Sequence, residues 1–298
     1  MRKPGAIKTF ATRPRAEPRA AAACSHCGSR EKTPLWDCGE FAFVTCRRCG
    51  LVRQDPMPSA EAVAARYDGE YLAYETERTD AYRDLELNAL ADLGLDGRAE
   101  SLFPSRAGEG GRPRALDVGC ATGALLVALR ERGWEAAGVE ISPQMAAYGR
   151  DRHGLLIHSG SVESAAFPSG SFELLHASHL IEHLNDPSSF VLEASRLLAA
   201  DGLLVLTTPN IDGFQARALG KAWRSAIYDH LYLFSIRSLA ALLVARGFVI
   251  LREVTWGGWA AGLRPRFLKP FLDRWAKRSG RGDVVALLAR KRPPAPGA

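Results

Sequence analysis

Residues 114–291 alternate short apolar runs of strand length with longer runs of helical period, and few folds accommodate that alternation. The strand-like runs ALDVG, EAAGVEIS, LLIHSG, FELLHAS and GLLVLTTP are separated by ALLVALRERG, PQMAAYGRDRHG, a loop, and a helical run through Leu198. Strands that each return through a helix lie parallel, so the reading is an α/β fold built on a doubly wound sheet. FVILREVTW and DVVALLARK, the first preceded by SIRSLAALLVARG, add two late strands and bring the sheet to seven. With 298 residues, 47 % of them hydrophobic, the chain can fill such a core and carry a small module besides. It contains no stretch of about 18 uninterrupted apolar residues and no apolar run of signal-peptide type at its start. The expectation is no transmembrane segment and a cytoplasmic protein.

The turn after the first strand, ALDVGCATG, falls where open parallel sheets bind ligands, at the carboxyl ends of their strands. Gly119 and Gly123 let backbone approach a ligand closely. Asp117 ends the first strand and Glu140 the second, and both carboxylates can accept hydrogen bonds from an ammonium group or from ribose hydroxyls. That spacing by itself also suits a dinucleotide.

In detail, Asp117-Val-Gly119-Cys120-Ala-Thr122-Gly123 lacks a third glycine at the dinucleotide spacing and resembles motif I of the class I S-adenosylmethionine-dependent methyltransferases. Gly138-Val-Glu140-Ile141-Ser is similar to that family's second strand, and Gly160-Ser161-Val162-Glu stands where the family often has Gly-Asp-Ala-Glu. Residues 167–187, Ala177 among them, look like its fourth strand and following loop. The resemblance covers residues 112–256 and implies a Rossmann-like fold, S-adenosyl-L-methionine as cofactor, and methyl transfer as the reaction. The cofactor contacts it implies are Asp117, Gly119, Cys120, Thr122, Gly123, Glu140 beside the ribose, Ile141 beside the adenine, Ser161, Val162 and Ala177.

Transfer from a sulfonium is an in-line displacement, for which positioning supplies much of the acceleration and a base is needed when the acceptor is a hydroxyl or a carbon acid. His176, His179, Glu182 and His183 follow the fourth strand, on the acceptor side of this fold, and His230 comes later. If residues 179–184 begin a helix, His179 and His183 share one face. His179-Leu-Ile-Glu182-His183, Thr208-Pro-Asn210 and Asp229-His230 together resemble methyltransferases of the ubiquinone-biosynthesis type and small-RNA 2′-O-methyltransferases. Some of these hold a divalent metal through a Glu-x-x-Glu-His run. The catalytic set is therefore His183, His230, His179 and Glu182. A metal-free histidine base is preferred, a catalytic divalent metal is the lesser alternative, and helix capping and packing is the structural one.

Four of the six cysteines form two CxxC pairs, Cys24/Cys27 and Cys46/Cys49, separated by 18 residues. That spacing is a zinc ribbon's, and four thiolates satisfy tetrahedral Zn²⁺ without leaving an open position for chemistry. The expected organisation is a disordered basic tail at 1–23, the ribbon at 24–54, a helical connector or cap at 55–111, and the methyltransferase domain at 112–298 with an insertion at about 257–280. Tyr67, Tyr71 and Tyr74 share one face of any helix in the connector.

The net charge of +6 is concentrated at the two ends, leaving an acidic body. The acceptor expected is a small molecule or glycan, most simply through a hydroxyl. An RNA-modifying enzyme gripping phosphate with its basic ends is the alternative, and a non-catalytic zinc-ribbon adaptor the third reading.

Overall fold

The computed structural model describes residues 23–59, 62–63, 79–104, 111–257 and 269–292. Three short strands come first: β1 (Lys32–Asp37), β2 (Ala42–Cys46) and β3 (Val52–Gln54). The main sheet then gathers β4 (Arg114–Val118), β5 (Glu135–Glu140), β6 (Leu156–Ser159), β7 (Phe172–Ser178), β8 (Leu198–Pro209), β10 (Phe248–Trp256) and β11 (Val284–Lys291) in the order β10-β11-β8-β7-β4-β5-β6. From β6 to β8 all pairings are parallel, whereas β11 runs antiparallel between β8 and β10. This is the α/β seven-stranded sheet read from the sequence.

Residues alternate across the sheet with period two, and each face builds its own core. Leu116, Leu175, Leu204, Leu206, Val285 and Leu287 pack with α5 (Pro187–Leu197) and α7 (Ile236–Ala245). On the other face, Ala115, Leu174, Val205, Ala286 and Leu288 meet α1 (Thr79–Asp92), α3 (Ala124–Glu131) and α4 (Pro143–His153). Local signals set the helix starts. Ser142 and Asp186 each accept backbone N–H groups of the first turn, with Pro143 and Pro187 pre-set at the next position. The short α2 (Ala99–Leu102) joins the second of these cores through Ala99 and Leu102, α6 (Phe214–Leu219) packs through Ala216 in a third cluster, and α8 (Lys269–Ser279) occupies part of the expected insertion.

A second sheet has the order β1-β2-β3-β9, and its last strand, β9 (Tyr232–Leu233), comes from the far side of the chain. β3 and β9 pair antiparallel through Val52↔Leu233 and Arg53↔Tyr232. Cys24, Cys46 and Leu51 share one buried cluster with Leu231 and Tyr232. The four-cysteine ribbon is thus packed against the larger fold through a strand that the larger fold supplies. Tyr67, Tyr71 and Tyr74, residues 1–22 of the basic tail and residues 60–61, 64–78 and 105–110 of the connector lie outside the described residues. No helix among the described residues is long and apolar enough to cross a membrane.

Candidate functional site

The carboxyl ends of β4 and β5 form a cradle. Gly119 and Gly123 lie at φ +77° and +82°, and Ala121 between them at +47°, so the turn uses left-handed backbone repeatedly. A β-carbon on Gly123 would come within 2.3 Å of Leu155 Cδ1, and one on Gly138 within 2.5 Å of Cys120 Sγ. Glycine is required at both by space as well as by conformation at the first. Glu140 secures the turn: its Oε2 accepts the Ala121 N–H at 2.9 Å and its Oε1 the Ser142 N–H at 2.8 Å. Burial raises its pKa, partly offset by those two hydrogen bonds. Each oxygen keeps acceptor capacity for a ligand.

Gly119, Ile141 and Ser161 are exposed around this crevice, while Thr122, Val162, Ala177 and Cys120 are buried beneath it. Burial pushes the Cys120 thiol well up, with Asp117 and Glu140 adding to the effect, so it packs as an uncharged side chain. Asp117 is engaged. His176 Nδ1 donates to its Oδ1 at 2.8 Å, and both side chains are almost fully buried. Burial opposes charge on His176, but the Asp117 carboxylate outweighs it and holds the imidazole above its ordinary range. Sequence order puts His176 in the acceptor segment; in the fold it pairs with Asp117 instead, because β4 and β7 place the two opposite each other.

The acceptor segment follows β7. Leu180 bends over the cradle, 3.3 Å from where a β-carbon on Gly119 would stand. The sequence allows a helix over 179–184, but the chain forms only a 3-10 turn, Ile181–His183, and His179 sits before it at φ +51°. The helix begins at Pro187, where the Asp186 cap lies. His179 and His183 therefore do not share a helix face.

Glu182 is the centre of this segment. Its Oε1 accepts from His179 Nδ1 at 3.1 Å and its Oε2 from Thr208 Oγ1 at 2.9 Å. Burial works against its charge, but the His179 hydrogen bond and the neighbouring histidines win and bring it down to about 2. His183 Nδ1 donates to Asp229 O at 2.9 Å and His230 Nδ1 to Ser225 O at 2.8 Å. These bonds fix one tautomer, leaving Nε2 of both rings as the proton or cation acceptor. The rings meet edge-on with centroids 4.8 Å apart. Burial, reinforced by His183, lowers His230 to about 3, so it stays neutral in ordinary buffers. Ligating atoms of Glu182, His183 and His230 all lie within 4.8 Å of one another. Two imidazoles and a carboxylate form a donor set suited to transition ions more than to Mg²⁺. The four residues of the catalytic set named from sequence, His179, Glu182, His183 and His230, come together here in two linked pairs. Thr208, part of the Thr208-Pro-Asn210 run noted in the sequence, joins them.

Cys24, Cys27, Cys46 and Cys49 also converge, with Sγ separations of 3.6 Å for Cys24–Cys49 and 3.5 Å for Cys27–Cys46. Four sulfurs about 2.3 Å from a tetrahedral Zn²⁺ would stand roughly 3.8 Å apart, so the cluster has the right size.

A family model described as a methyltransferase domain matches residues 76–253, more than half of the chain. A ubiquinone biosynthesis O-methyltransferase of Xanthomonas oryzae pv. oryzae is 33 % identical over 104 residues, 33 % of this chain and 43 % of that protein. The chain thus spans less than half the length of that relative. A protein of the same name from Parvibaculum lavamentivorans is 27 % identical over 244 residues, covering 76 % of this chain and 84 % of its own length. Among solved structures, a SAM-dependent methyltransferase of Thermotoga maritima superposes with a TM-score of 0.49 at 24 % identity, over 60 % of this chain and 82 % of that one.

Proposed function

The chain belongs to the methyltransferase domain family matched over residues 76–253; on that premise we propose that it is an S-adenosylmethionine-dependent enzyme that methylates a hydroxyl group of a small-molecule acceptor. The observation that carries this reading is the convergence of Glu182, His183 and His230 beside a cradle that suits the cofactor. The cradle fits on its own chemistry: bare backbone at Gly119, the Glu140 carboxylate for a ribose diol, and an exposed Ile141 for an adenine face. When bound, S-adenosylmethionine supplies a methyl group on a sulfonium, open to in-line attack.

The chain's own residues then have three tasks. Leu180 and the 3-10 turn hold the acceptor segment over Gly119, so that acceptor and cradle adjoin. His183, locked by its Nδ1 bond to Asp229 O, presents Nε2 to a hydroxyl proton, while His230, locked by its bond to Ser225 O and held neutral, offers a second acceptor nitrogen that orients the hydroxyl. Glu182 orients His179 and stays ionised, so any positive charge that develops on the histidines is compensated. The same three residues would hold a divalent cation if one binds, and its contribution would be to lower the pKa of the acceptor hydroxyl. The O-methyltransferase names of the relatives favour oxygen as the acceptor atom.

Incubation with methyl-labelled S-adenosylmethionine and separated metabolite and RNA fractions tests the acceptor class. Label is expected in a small molecule, as an oxygen-linked methyl. Label confined to RNA would refute the proposal in favour of the basic-ended RNA enzyme.

The ribbon is proposed to hold one structural Zn²⁺ through Cys24, Cys27, Cys46 and Cys49. Elemental analysis is expected to give one zinc from this site, and Cys24→Ser to lose it. Full retention of zinc by that variant would exclude the four-cysteine set.

A further inference from the structure

We propose that Gln54, at the end of β3, is a positioning residue for His230, so that the four-cysteine ribbon is a working part of the acceptor centre rather than an appended module. The proposal rests on the acceptor-side role given to His230 above. Residues 223–231 contain only turns and bends between a 3-10 turn, Gly220–Ala222, and the two-residue strand β9. Within this loop His230 is held to its own neighbours, by its Nδ1 bond to Ser225 O and by its N–H bond to Ile227 O at 3.2 Å. The ribbon fixes where the loop as a whole stands.

The Gln54 side chain is 1 % exposed, and its Nε2 donates to Tyr228 O at 2.7 Å and to His230 O at 2.8 Å. Both amide protons are therefore used on carbonyls that bracket the histidine. Its backbone N–H donates to Leu231 O at 2.8 Å, and Leu231 N–H in turn donates to Glu182 O at 2.7 Å. One continuous hydrogen-bonded path thus runs from the ribbon's third strand, through the His230 loop, to the turn that carries Glu182 and His183. The anchoring strand depends on the cysteines: Cys46 N–H donates to Leu51 O at 2.9 Å where β2 turns toward β3. Cys24, Cys46, Leu51, Leu231 and Tyr232 share one buried cluster.

Loss of the Gln54 amide removes its bonds to Tyr228 O and to the buried His230 O, and is expected to let the loop rotate the His230 ring away from His183. A change one layer outside a site of this type commonly costs 10–100-fold in activity or ligand affinity. Gln54→Met keeps side-chain length and removes both donors, so the packing is largely retained.

The test is histidine side-chain nitrogen NMR on the full chain, comparing wild type, Gln54→Met, and wild type stripped of zinc by a chelator. In the wild type, His230 is expected as a single Nδ1–H tautomer. Gln54→Met and the stripped protein are both expected to lose that fixed signal. Gln54→Met is expected to keep its zinc and its affinity for S-adenosylhomocysteine within twofold, while methyl transfer falls 10–100-fold. A role confined to general packing would instead lower zinc content and cofactor affinity together. An unchanged His230 signal in either protein would overturn the coupling, as would global unfolding of both. Full transfer activity in His230→Ala would refute the acceptor-centre reading itself, a separate outcome from an unmoved His230 signal in an active enzyme.

Discussion

Glu182→Gln is expected to reduce methyl transfer by about 10²–10⁴-fold while leaving the affinity for S-adenosylhomocysteine within twofold. The glutamine has the same shape, so no cavity opens at a position with 0 % exposure. What changes is charge. Glu182 accepts hydrogen bonds on both oxygens, from His179 and from Thr208, and is the negative member of a cluster with His183 and His230. An amide presents a donor where one of those acceptors stood, facing either a histidine N–H or a threonine hydroxyl, and one bond is lost or must rearrange. The backbone N–H groups of the cradle are untouched by the change, which is why binding and turnover separate. Steady-state rates beside calorimetric affinities provide the check. Activity within threefold of wild type would place the acceptor chemistry elsewhere.

Glu140→Ala has its effect on the other half of the site. Its carboxylate ties Ala121 N–H in the glycine turn to Ser142 N–H at the start of α4, through two charge-assisted bonds, the first part-buried and the second buried. Each such bond contributes about 1.5–3 kcal/mol, and both donors are left unpaired when the carboxylate goes. Those bonds are made with or without ligand, so their loss weakens the turn itself; affinity falls through the ribose contacts proposed for the same carboxylate. A loss of about 3 kcal/mol there, with every 1.4 kcal/mol worth tenfold, corresponds to S-adenosylhomocysteine bound about 100-fold more weakly. Ser161→Ala, by contrast, removes a hydroxyl at an exposed edge and is expected to change affinity little.

Much of the fold was legible because its signals are local. Period-two apolar runs and glycine at left-handed turns act within a few residues. The Asp186-Pro187 start of α5 is as local, but the sequence also allows a helix earlier, over 179–184. The two CxxC knuckles are equally local, and their cysteines do converge. β1 was harder to see, since Pro34 interrupts its run. The structure accommodates the proline in an edge strand, next to an irregularity between Pro34 and Trp36. The turn proposed as the cofactor cradle can be read from one segment with a recognisable spacing. The residues proposed for the acceptor centre can be named from sequence too, but their geometry depends on contacts between distant segments. Gln54 and His230 are 176 residues apart, Glu182 and Thr208 are 26 apart, and no periodicity reports either pair. His176 was assigned to the acceptor side by its neighbours in sequence, but the strand pleat sends it to Asp117.

Calorimetric titration of the folded, zinc-replete protein with S-adenosylhomocysteine examines the cradle built by Asp117, Gly119, Gly123 and Glu140 without needing the acceptor. One molecule bound per chain, with affinity about 100-fold weaker in Glu140→Ala, is the expected result. A folded protein that gives no binding heat and no competition by S-adenosylmethionine would contradict the assignment of this crevice as the cofactor site.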